Sequence, residues 1–175
     1  ARDPEDGRPT PDPDVFMRFL PRIRQATDAV VNITTGGSQT MTVDDRIAAA
    51  KAAQPEMCSL NMGSINFGLF PLADRYESWK HDWERDFLEN TRGMIFRNTF
   101  ADIERILSEV GGAYGTRFEF ECYDVGHIHS LAYFLNQGLV TPPLFVQFVL
   151  GVLGGIGADI ENLMHMKQTA DRLLG

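Results

Sequence analysis

Short apolar runs alternate with helix-like segments along this chain, and each run ends in small or polar residues. The pattern predicts strands at residues 30–34, from 57 onward, at 118–122 and at 144–151. Apolar residues at helical spacing predict helices over about 14–25, 43–53, 100–110, 128–137 and 158–174. The segment Thr42-Val43-Asp44-Asp45 has the form of a capping box at the start of the second helix, with Asp in the place of the usual Glu. Strand and helix alternate without a hairpin signal, which indicates parallel βαβ units.

The predicted strands are apolar on one face and polar on the other. Alternation in the second strand separates Cys58, Leu60 and Met62 from Ser59 and Asn61. The same alternation gives one polar face in the other strands, carrying Asn32, Thr34, Glu119, Glu121 and Gln147. Parallel strands that are covered on both faces should be apolar throughout, whereas polar residues collect at the carboxyl ends of barrel strands.

The fold that this pattern favours is α/β, a partial (β/α)8 TIM barrel of about four βα units rather than a doubly wound sheet. Four strands cannot close a barrel, so the first and last strands are expected outside residues 1–175. Residues 1–175 are interpreted as a single domain, the central fragment of a barrel. Within it, the aromatic-rich stretch 68–97 is a long β-to-α excursion, expected to be a lid or an oligomer contact.

Composition disfavours some classes of partner. Net charge is −8, with 24 acidic and 16 basic residues, which disfavours nucleic acid and anionic membrane surfaces. The longest apolar run, 144–156, is interrupted by Gln147 and is shorter than the roughly 20 residues that a membrane span needs. Two cysteines, Cys58 and Cys122, form no disulfide framework, so a reduced, cytoplasmic setting is expected.

Two glycine-rich turns are candidate anion sites. Thr34-Thr35-Gly36-Gly37-Ser38 ends the first strand, and its glycines would allow backbone N–H groups to approach an anion. Gly154-Gly155-Ile156-Gly157 precedes the last helix and could hold a phosphate at the helix N-terminus. The alternative for both turns is tight packing. The G-x-G-x-x-G dinucleotide pattern is absent, which makes a nicotinamide site a weak hypothesis.

Five ionisable side chains are further candidates. Glu119 and Glu121 share the polar face, and Glu121 is the preferred acid–base residue because it lies nearer the carboxyl end. His127 and His129 form an H-x-H pair, for which core hydrogen bonding or capping is favoured over zinc ligation. Arg97 precedes a helix cap, where a cation opposes the helix dipole, so it is either an anion-binding residue or a solvated one.

Six motifs in order resemble one family, the β-keto acid cleavage enzymes. They are ARDP at 1–4, TTGG at 34–37, CSLNMGSINF at 58–67, FRNTF at 96–100, ECYDVGH at 121–127 and FVLGVLGG at 148–155. The resemblance implies a zinc-dependent (β/α)8 barrel that cleaves a β-keto acid with acetyl-CoA, giving acetoacetate and a new acyl-CoA. It also implies a homo-oligomer, either a dimer or a tetramer.

The resemblance assigns substrate binding to the polar strand ends. Thr34, Thr35, Gly36 and Gly37 would lie near the carboxylate, with Ser59 and Asn61 on the next strand. Arg97 matches the position that reads the far end of the substrate, which suggests an anionic or polar tail. Coenzyme A would contact Gly154 and Gly155.

The family's zinc ligands, in H-x-H-x-R and R-x-G-x-E-D motifs, are expected before Ala1 and after Gly175. No metal ligand is therefore assigned within the chain, Glu121 is its one catalytic candidate, and the chain by itself is expected to be inactive. The alternatives are a non-catalytic truncated barrel segment acting in ligand binding or assembly, and a barrel enzyme that binds a phosphorylated substrate.

Overall fold

Four parallel strands form one sheet in the computed structural model, which describes residues 1–38 and 40–175. They are β1 (Asn32–Thr34), β2 (Met57–Asn61), β5 (Arg117–Cys122) and β6 (Phe145–Phe148). Their order in the sheet is β1-β2-β5-β6, the order in which they occur along the chain. Two further strands, β3 (Ile65–Asn66) and β4 (Ile95–Phe96), pair antiparallel in a separate ribbon.

Seven α-helices occur within the described residues. They are α1 (Pro13–Met17), α2 (Leu20–Ala26), α3 (Val43–Ala53), α4 (Trp83–Glu89), α5 (Phe100–Ile106), α6 (Val125–Asn136) and α7 (Ile160–Leu174). Of these, α3, α5 and α6 lie between consecutive parallel strands. A π-helical turn, Leu107–Gly112, continues α5, and short 3-10 turns flank α4 at Phe70–Arg75 and Asn90–Gly93. The α/β class predicted from the alternation is confirmed.

Several element boundaries differ from the predicted ones, among them the fourth strand, which covers Phe145–Phe148 instead of 144–151. The helix expected over 14–25 is divided into α1 and α2, because Pro21 fits only the first turn of a helix. The first strand begins at Asn32, and Val30 is 63% exposed rather than buried. Helix α6 begins at Val125, where Asp124 caps it by accepting a hydrogen bond from the Gly126 N–H at 3.1 Å.

Two helix starts are set by reciprocal capping boxes. The Thr42 hydroxyl accepts from the Asp45 N–H at 3.3 Å, and the Asp45 carboxylate accepts from the Thr42 N–H at 2.8 Å. Thr99 and Asp102 repeat this arrangement at α5, which identifies Thr99 as the cap. The capping box predicted at Thr42 is confirmed, with Asp in the place of the more common Glu.

The hydrophobic core lies on one face of the sheet only. Alternate strand residues, namely Ile33, Cys58, Leu60, Phe118, Phe120 and Cys122, pack there against apolar residues of α3, α5, α6 and α7. On the opposite face the register aligns Thr34 with Ser59 and Ser59 with Glu119. The next row aligns Asn61 with Glu121 and Glu121 with Gln147. The predicted division into an apolar and a polar face is confirmed.

Within the part of the chain that the structure describes, no helix is both long enough and apolar enough to cross a membrane.

The capping box at Thr42 provides a test of what holds α3 in place. Thr42→Ala removes the side-chain acceptor for the Asp45 N–H, so the free energy of unfolding should fall by about 1 kcal/mol. Urea unfolding of the intact protein measures the change. The exposed neighbour Thr40 supplies the control, since Thr40→Ala removes a hydroxyl outside the box. Equal losses in the two variants would show that the box does not stabilise the start of α3.

Candidate functional site

A cavity of about 300 Å³ lies where the carboxyl ends of β1, β2 and β5 meet. Its polar wall comes from the strand ends and the first glycine turn, and consists of Thr34, Gly36, Gly37, Ser38, Asn61, Glu121 and Tyr123. Its apolar wall comes from the excursion at 68–97 and the ribbon beside it, and consists of Phe67, Leu69, Phe87, Met94 and Phe96, together with Thr91. A polar wall that faces an apolar wall suits a small ligand with one polar and one apolar end.

Five of the residues predicted to act on substrate line this cavity. They are Thr34, Gly36, Gly37, Asn61 and Glu121. The Thr34 hydroxyl accepts a hydrogen bond from the Gly36 N–H at 2.9 Å, which orders the turn directly above the strand. Three strands separated widely in sequence therefore bring their polar ends together, as parallel pairing in chain order requires.

Thr35 and Ser59 do not line the cavity and are hydrogen-bonded to each other. Thr35 is fully buried, and its hydroxyl donates to the Ser59 carbonyl at 2.8 Å. Its backbone N–H donates to the same oxygen at 3.1 Å. The Ser59 side chain lies on the polar face one row below the cavity, beside Glu119. Thr35 and Ser59 thus join β1 to β2 beneath the cavity, and their contact with a substrate stays a prediction.

Glu121 is the ionisable group whose position in the cavity most favours proton transfer. Burial raises the pKa of its carboxyl, and the charge of nearby Glu119 raises it further. The Tyr123 hydroxyl lies 3.4 Å from Glu121 Oε2 and opposes that shift. Burial in turn raises the pKa of Tyr123 to about 12, so Tyr123 is a neutral donor at physiological pH. A carboxyl whose pKa is raised, lying beside a phenol, can donate or accept a proton during a reaction.

Glu119 lies one row below Glu121 on the polar face and is held by a hydrogen bond. Its Oε2 accepts a hydrogen bond from Asn32 Nδ2 at 3.1 Å, across the sheet. This contact gives Glu119 a fixed partner, whereas Glu121 faces the cavity. The preference for Glu121 over Glu119 as the reactive carboxyl agrees with these positions.

Arg46 of α3, which the sequence pattern did not single out, lies behind the cavity lining and contacts two of its walls. Its Nε donates to the carbonyls of Thr35 at 2.7 Å and Gly36 at 3.0 Å. Its Nη1 donates to the Arg97 carbonyl at 3.0 Å, and Nη2 to Asn98 Oδ1 at 3.0 Å. The guanidinium also lies 5.0 Å from the centre of the Phe96 ring. A cation in the first turn of a helix is unfavourable locally, and this was the signal available in the sequence.

Arg97 lies outside the cavity lining. Its side chain is 67% exposed, and Nη1 contacts Asp102 Oδ1 at 3.2 Å. Hydrogen bonds from Thr99 and the positive charges of Arg97 and Arg46 lower the pKa of Asp102 against the opposing effect of burial, which is the largest single influence. A role for Arg97 in reading the far end of a substrate stays a prediction.

The second glycine turn is closely packed. A Cβ on Gly154, whose φ is +107°, would lie 1.7 Å from the Asn66 carbonyl oxygen, and a Cβ on Gly155 would lie 2.7 Å from that of Tyr123. The Gly155 N–H donates to the Val152 carbonyl at 2.9 Å. Tight packing therefore accounts for both glycines, and a contact with coenzyme A stays a prediction.

The two histidines of the H-x-H pair are in different environments. His127 is buried, and its Nδ1 accepts from the Tyr123 N–H at 3.2 Å, while His129 is exposed. Burial lowers the pKa of His127, so the neutral ring acts as a core hydrogen-bonding group, the interpretation favoured from the sequence. Among the described residues, no three His, Cys, Asp or Glu side chains are grouped as a metal site would require.

The two cysteines are unreactive by position. Both are fully buried on the helix side of the sheet, and burial raises the pKa of each thiol to about 12. A nucleophilic thiolate is therefore not available at either position.

Known proteins resemble this chain over its whole length. It is 61% identical over 175 residues to 3,5-dioxohexanoate:acetyl-CoA acetone transferase of Paraburkholderia graminis, which is 100% of this chain and 56% of the relative. It is 26% identical over 186 residues to 3-dehydrocarnitine:acetyl-CoA trimethylamine transferase of Rhizobium meliloti, covering 95% of this chain and 54% of the relative. Identity to 3-keto-5-aminohexanoate cleavage enzyme of Fusobacterium nucleatum is 28% over 166 residues, covering 94% and 51%.

The chain spans about half the length of these curated relatives, so it is compared with part of each. A family model described as beta-keto acid cleavage enzyme matches residues 1–175. The resemblance inferred from the six motifs is confirmed by that match. The chain therefore belongs to the β-keto acid cleavage enzyme family.

Proposed function

We propose that this chain forms the substrate-binding walls of an enzyme that cleaves a β-keto acid with acetyl-CoA, giving acetoacetate and a new acyl-CoA. The observation that carries the proposal is the cavity at the strand ends, where Thr34, Asn61 and Glu121 converge, in a chain matched throughout by the family model. The names of relatives that use acetyl-CoA support the same co-substrate.

The proposed architecture is part of a (β/α)8 barrel. Consecutive parallel strands in chain order support it, as does the packing of α3, α5, α6 and α7 on one face of the sheet. The polar face would then be the barrel interior, and the cavity would occupy its carboxyl-terminal mouth, where barrel enzymes bind their substrates.

The polar wall is proposed to bind the substrate's carboxylate and keto oxygens. Thr34, Asn61 and Tyr123 supply hydroxyl and amide donors there. The Glu121 carboxyl, whose pKa burial raises, would exchange a proton with C2 of the substrate, the carbon whose enolate carries the negative charge as its bond to the keto carbon breaks. Exclusion of water from the polar wall lowers the local dielectric constant. It therefore strengthens the hydrogen bonds to the substrate oxygens and the interaction with Glu121.

The family implies zinc, which would polarise a substrate oxygen where it is bound. The described residues do not fit a zinc site by themselves. His127 is committed to the Tyr123 backbone, Cys58 and Cys122 face the helices, and Glu119 is bonded to Asn32. The proposed binding and proton-transfer roles therefore belong to this chain's own side chains.

The proposed substrate is a 3,5-dioxo acid whose carboxylate is its only charged group. Glu121 is the one acidic side chain in the described lining, which includes no Lys, Arg or His, and the opposite wall is mainly aromatic and aliphatic. A second carboxylate or an ammonium group at the far end would face Phe67, Leu69 and Met94 without a counter-charge. The 61% identical relative is named for 3,5-dioxohexanoate, which has such a tail.

A panel of four β-keto acids tests the proposed substrate. The intact protein, with acetyl-CoA and zinc present, should give acyl-CoA from 3,5-dioxohexanoate with a kcat/KM about 10²-fold above the values for charged analogues, because a charged tail would be left unpaired. The charged analogues are 3-dehydrocarnitine, 3-keto-5-aminohexanoate and 3-oxoadipate, and mass spectrometry identifies the products. Preference for 3-oxoadipate would favour the anionic tail suggested by Arg97, and no product from any acid would overturn the function.

Glu121→Gln tests the proposed proton transfer. The amide keeps the shape of the carboxyl but cannot exchange a proton, so kcat should fall by about 10² to 10⁴-fold with a smaller change in KM. Steady-state kinetics with the preferred acid measure the effect. Glu104→Gln, an exposed position of α5, is the matched control and should keep the wild-type rate. A Glu121→Gln enzyme with full activity would remove Glu121 from the catalytic step.

The raised pKa of Glu121 also predicts how stability depends on pH. The folded protein binds this proton more tightly than the unfolded chain, so the protonated Glu121 carboxyl stabilises the fold. That stabilisation is complete below the ordinary glutamate pKa of about 4.3 and is lost as pH rises through the raised pKa of the folded protein. Relative to wild type, Glu121→Gln should therefore gain stability as pH rises over that window. Urea unfolding at a series of pH values checks this, and a pH-independent difference would contradict the raised pKa.

A further inference from the structure

Arg46 occupies a position that its own charge disfavours. It lies in the first turn of α3, where the helix dipole opposes a cation, and the residue is only 8% exposed. Burial lowers the pKa of its guanidinium, and the charge of Arg97 lowers it further, while Asp102 acts in the opposite direction. Such a cation persists only where its contacts compensate for lost hydration.

The direct partners of Arg46 are neutral oxygens rather than carboxylates. Three are backbone carbonyls, those of Thr35, Gly36 and Arg97, and the fourth is the side-chain oxygen of Asn98. A carboxylate partner would attract a cation that approaches from many directions. These four oxygens, in contrast, are bonded together by a planar, forked guanidinium held in one position. The contacts therefore specify geometry more than charge.

These contacts join two walls of the cavity. Gly36 belongs to the turn after β1, and Arg97 directly follows Phe96, the end of β4. The arginine stem also packs closely on the turn, since a Cβ on Gly37 would lie 2.8 Å from Arg46 Cγ. One side chain thus sets the spacing between the glycine turn and the ribbon.

Asn98 extends the link to a third element. It is buried, and its Nδ2 donates to the Asn61 carbonyl at 2.6 Å, at the end of β2. Its backbone N–H donates to the Ser64 hydroxyl at 2.9 Å. Arg46 and Asn98 therefore connect β1, β2 and β4 through groups that lie behind the cavity lining.

We propose that Arg46 is a positioning residue for the β-keto acid, holding the Gly36 turn and the Phe96 ribbon at the separation the substrate requires. It acts through the backbone of these walls and does not touch the reacting atoms. This inference rests on the proposed function for the identity of the substrate, but not for the existence of the link between the walls.

Arg46→Lys in the intact protein tests the proposal. Lysine keeps the charge and most of the stem, but one ammonium cannot reach both walls, so the amides around residues 35–37 and 97–98 should exchange hydrogen faster. Because a displacement of about 1 Å can cost about 10²-fold, kcat/KM for the preferred β-keto acid should fall on that scale. Arg105→Lys is the matched control, since Arg105 pairs with Asp44 and Glu109 at the surface, away from the cavity.

Each outcome has one meaning. Faster exchange at both walls with a selective loss of kcat/KM, at a temperature where both variants are folded, supports the proposal. Faster exchange with unchanged kinetics overturns it, as does an equal kinetic loss in Arg105→Lys at equal melting temperature. A wild-type enzyme that cleaves no β-keto acid overturns the proposed function and the positioning role with it, and the exchange data then report only a structural link.

Discussion

The hydrogen bonds of the Arg46 guanidinium are the interaction on which the candidate site depends. The guanidinium donates hydrogen bonds to backbone carbonyls in the glycine turn and beside the β3–β4 ribbon. Asn98 carries the same network to the end of β2. The cavity walls therefore form one hydrogen-bonded unit, although their residues come from three separate parts of the chain. A buried cation with neutral partners is suited to this purpose because its geometry, rather than its charge, is used.

The sheet determines where that unit can be built. Its helices pack on one face, so the apolar strand residues are buried there and the opposite face can be polar. Along this polar face, Glu119 is held by Asn32, whereas Glu121 lies one row higher and opens into the cavity. Two identical carboxyls on one strand thus differ in environment because of a single step along the strand. Burial of the Glu121 carboxyl, followed by the charge of Glu119, then raises its pKa.

Much of the fold could be predicted because it depends on local patterns. The capping box at Thr42 and Asp45 involves residues three apart, and the two faces of β2 follow from alternation within five residues. Pro21 divides α1 from α2 by its own geometry. The second glycine turn shows the limit of this approach. Its sequence fits either a phosphate site or a packed turn, and only the approach of the Asn66 carbonyl shows how closely Gly154 is packed.

The sequence by itself determined the element types, the polar face of the strands, the family motifs and five residues that line the cavity. The tertiary structure alone decided which polar groups share a site and which are used up by neighbours. Arg46 meets Arg97 and Asn98 across 51 and 52 residues of chain, and no local pattern encodes such a pairing. Thr35 looks equivalent to Thr34 in sequence, yet its hydroxyl is bonded to Ser59 while Thr34 faces the cavity. The physical reason is that burial and hydrogen-bond partners are properties of the packed chain, and they decide which of several similar residues remains available for chemistry.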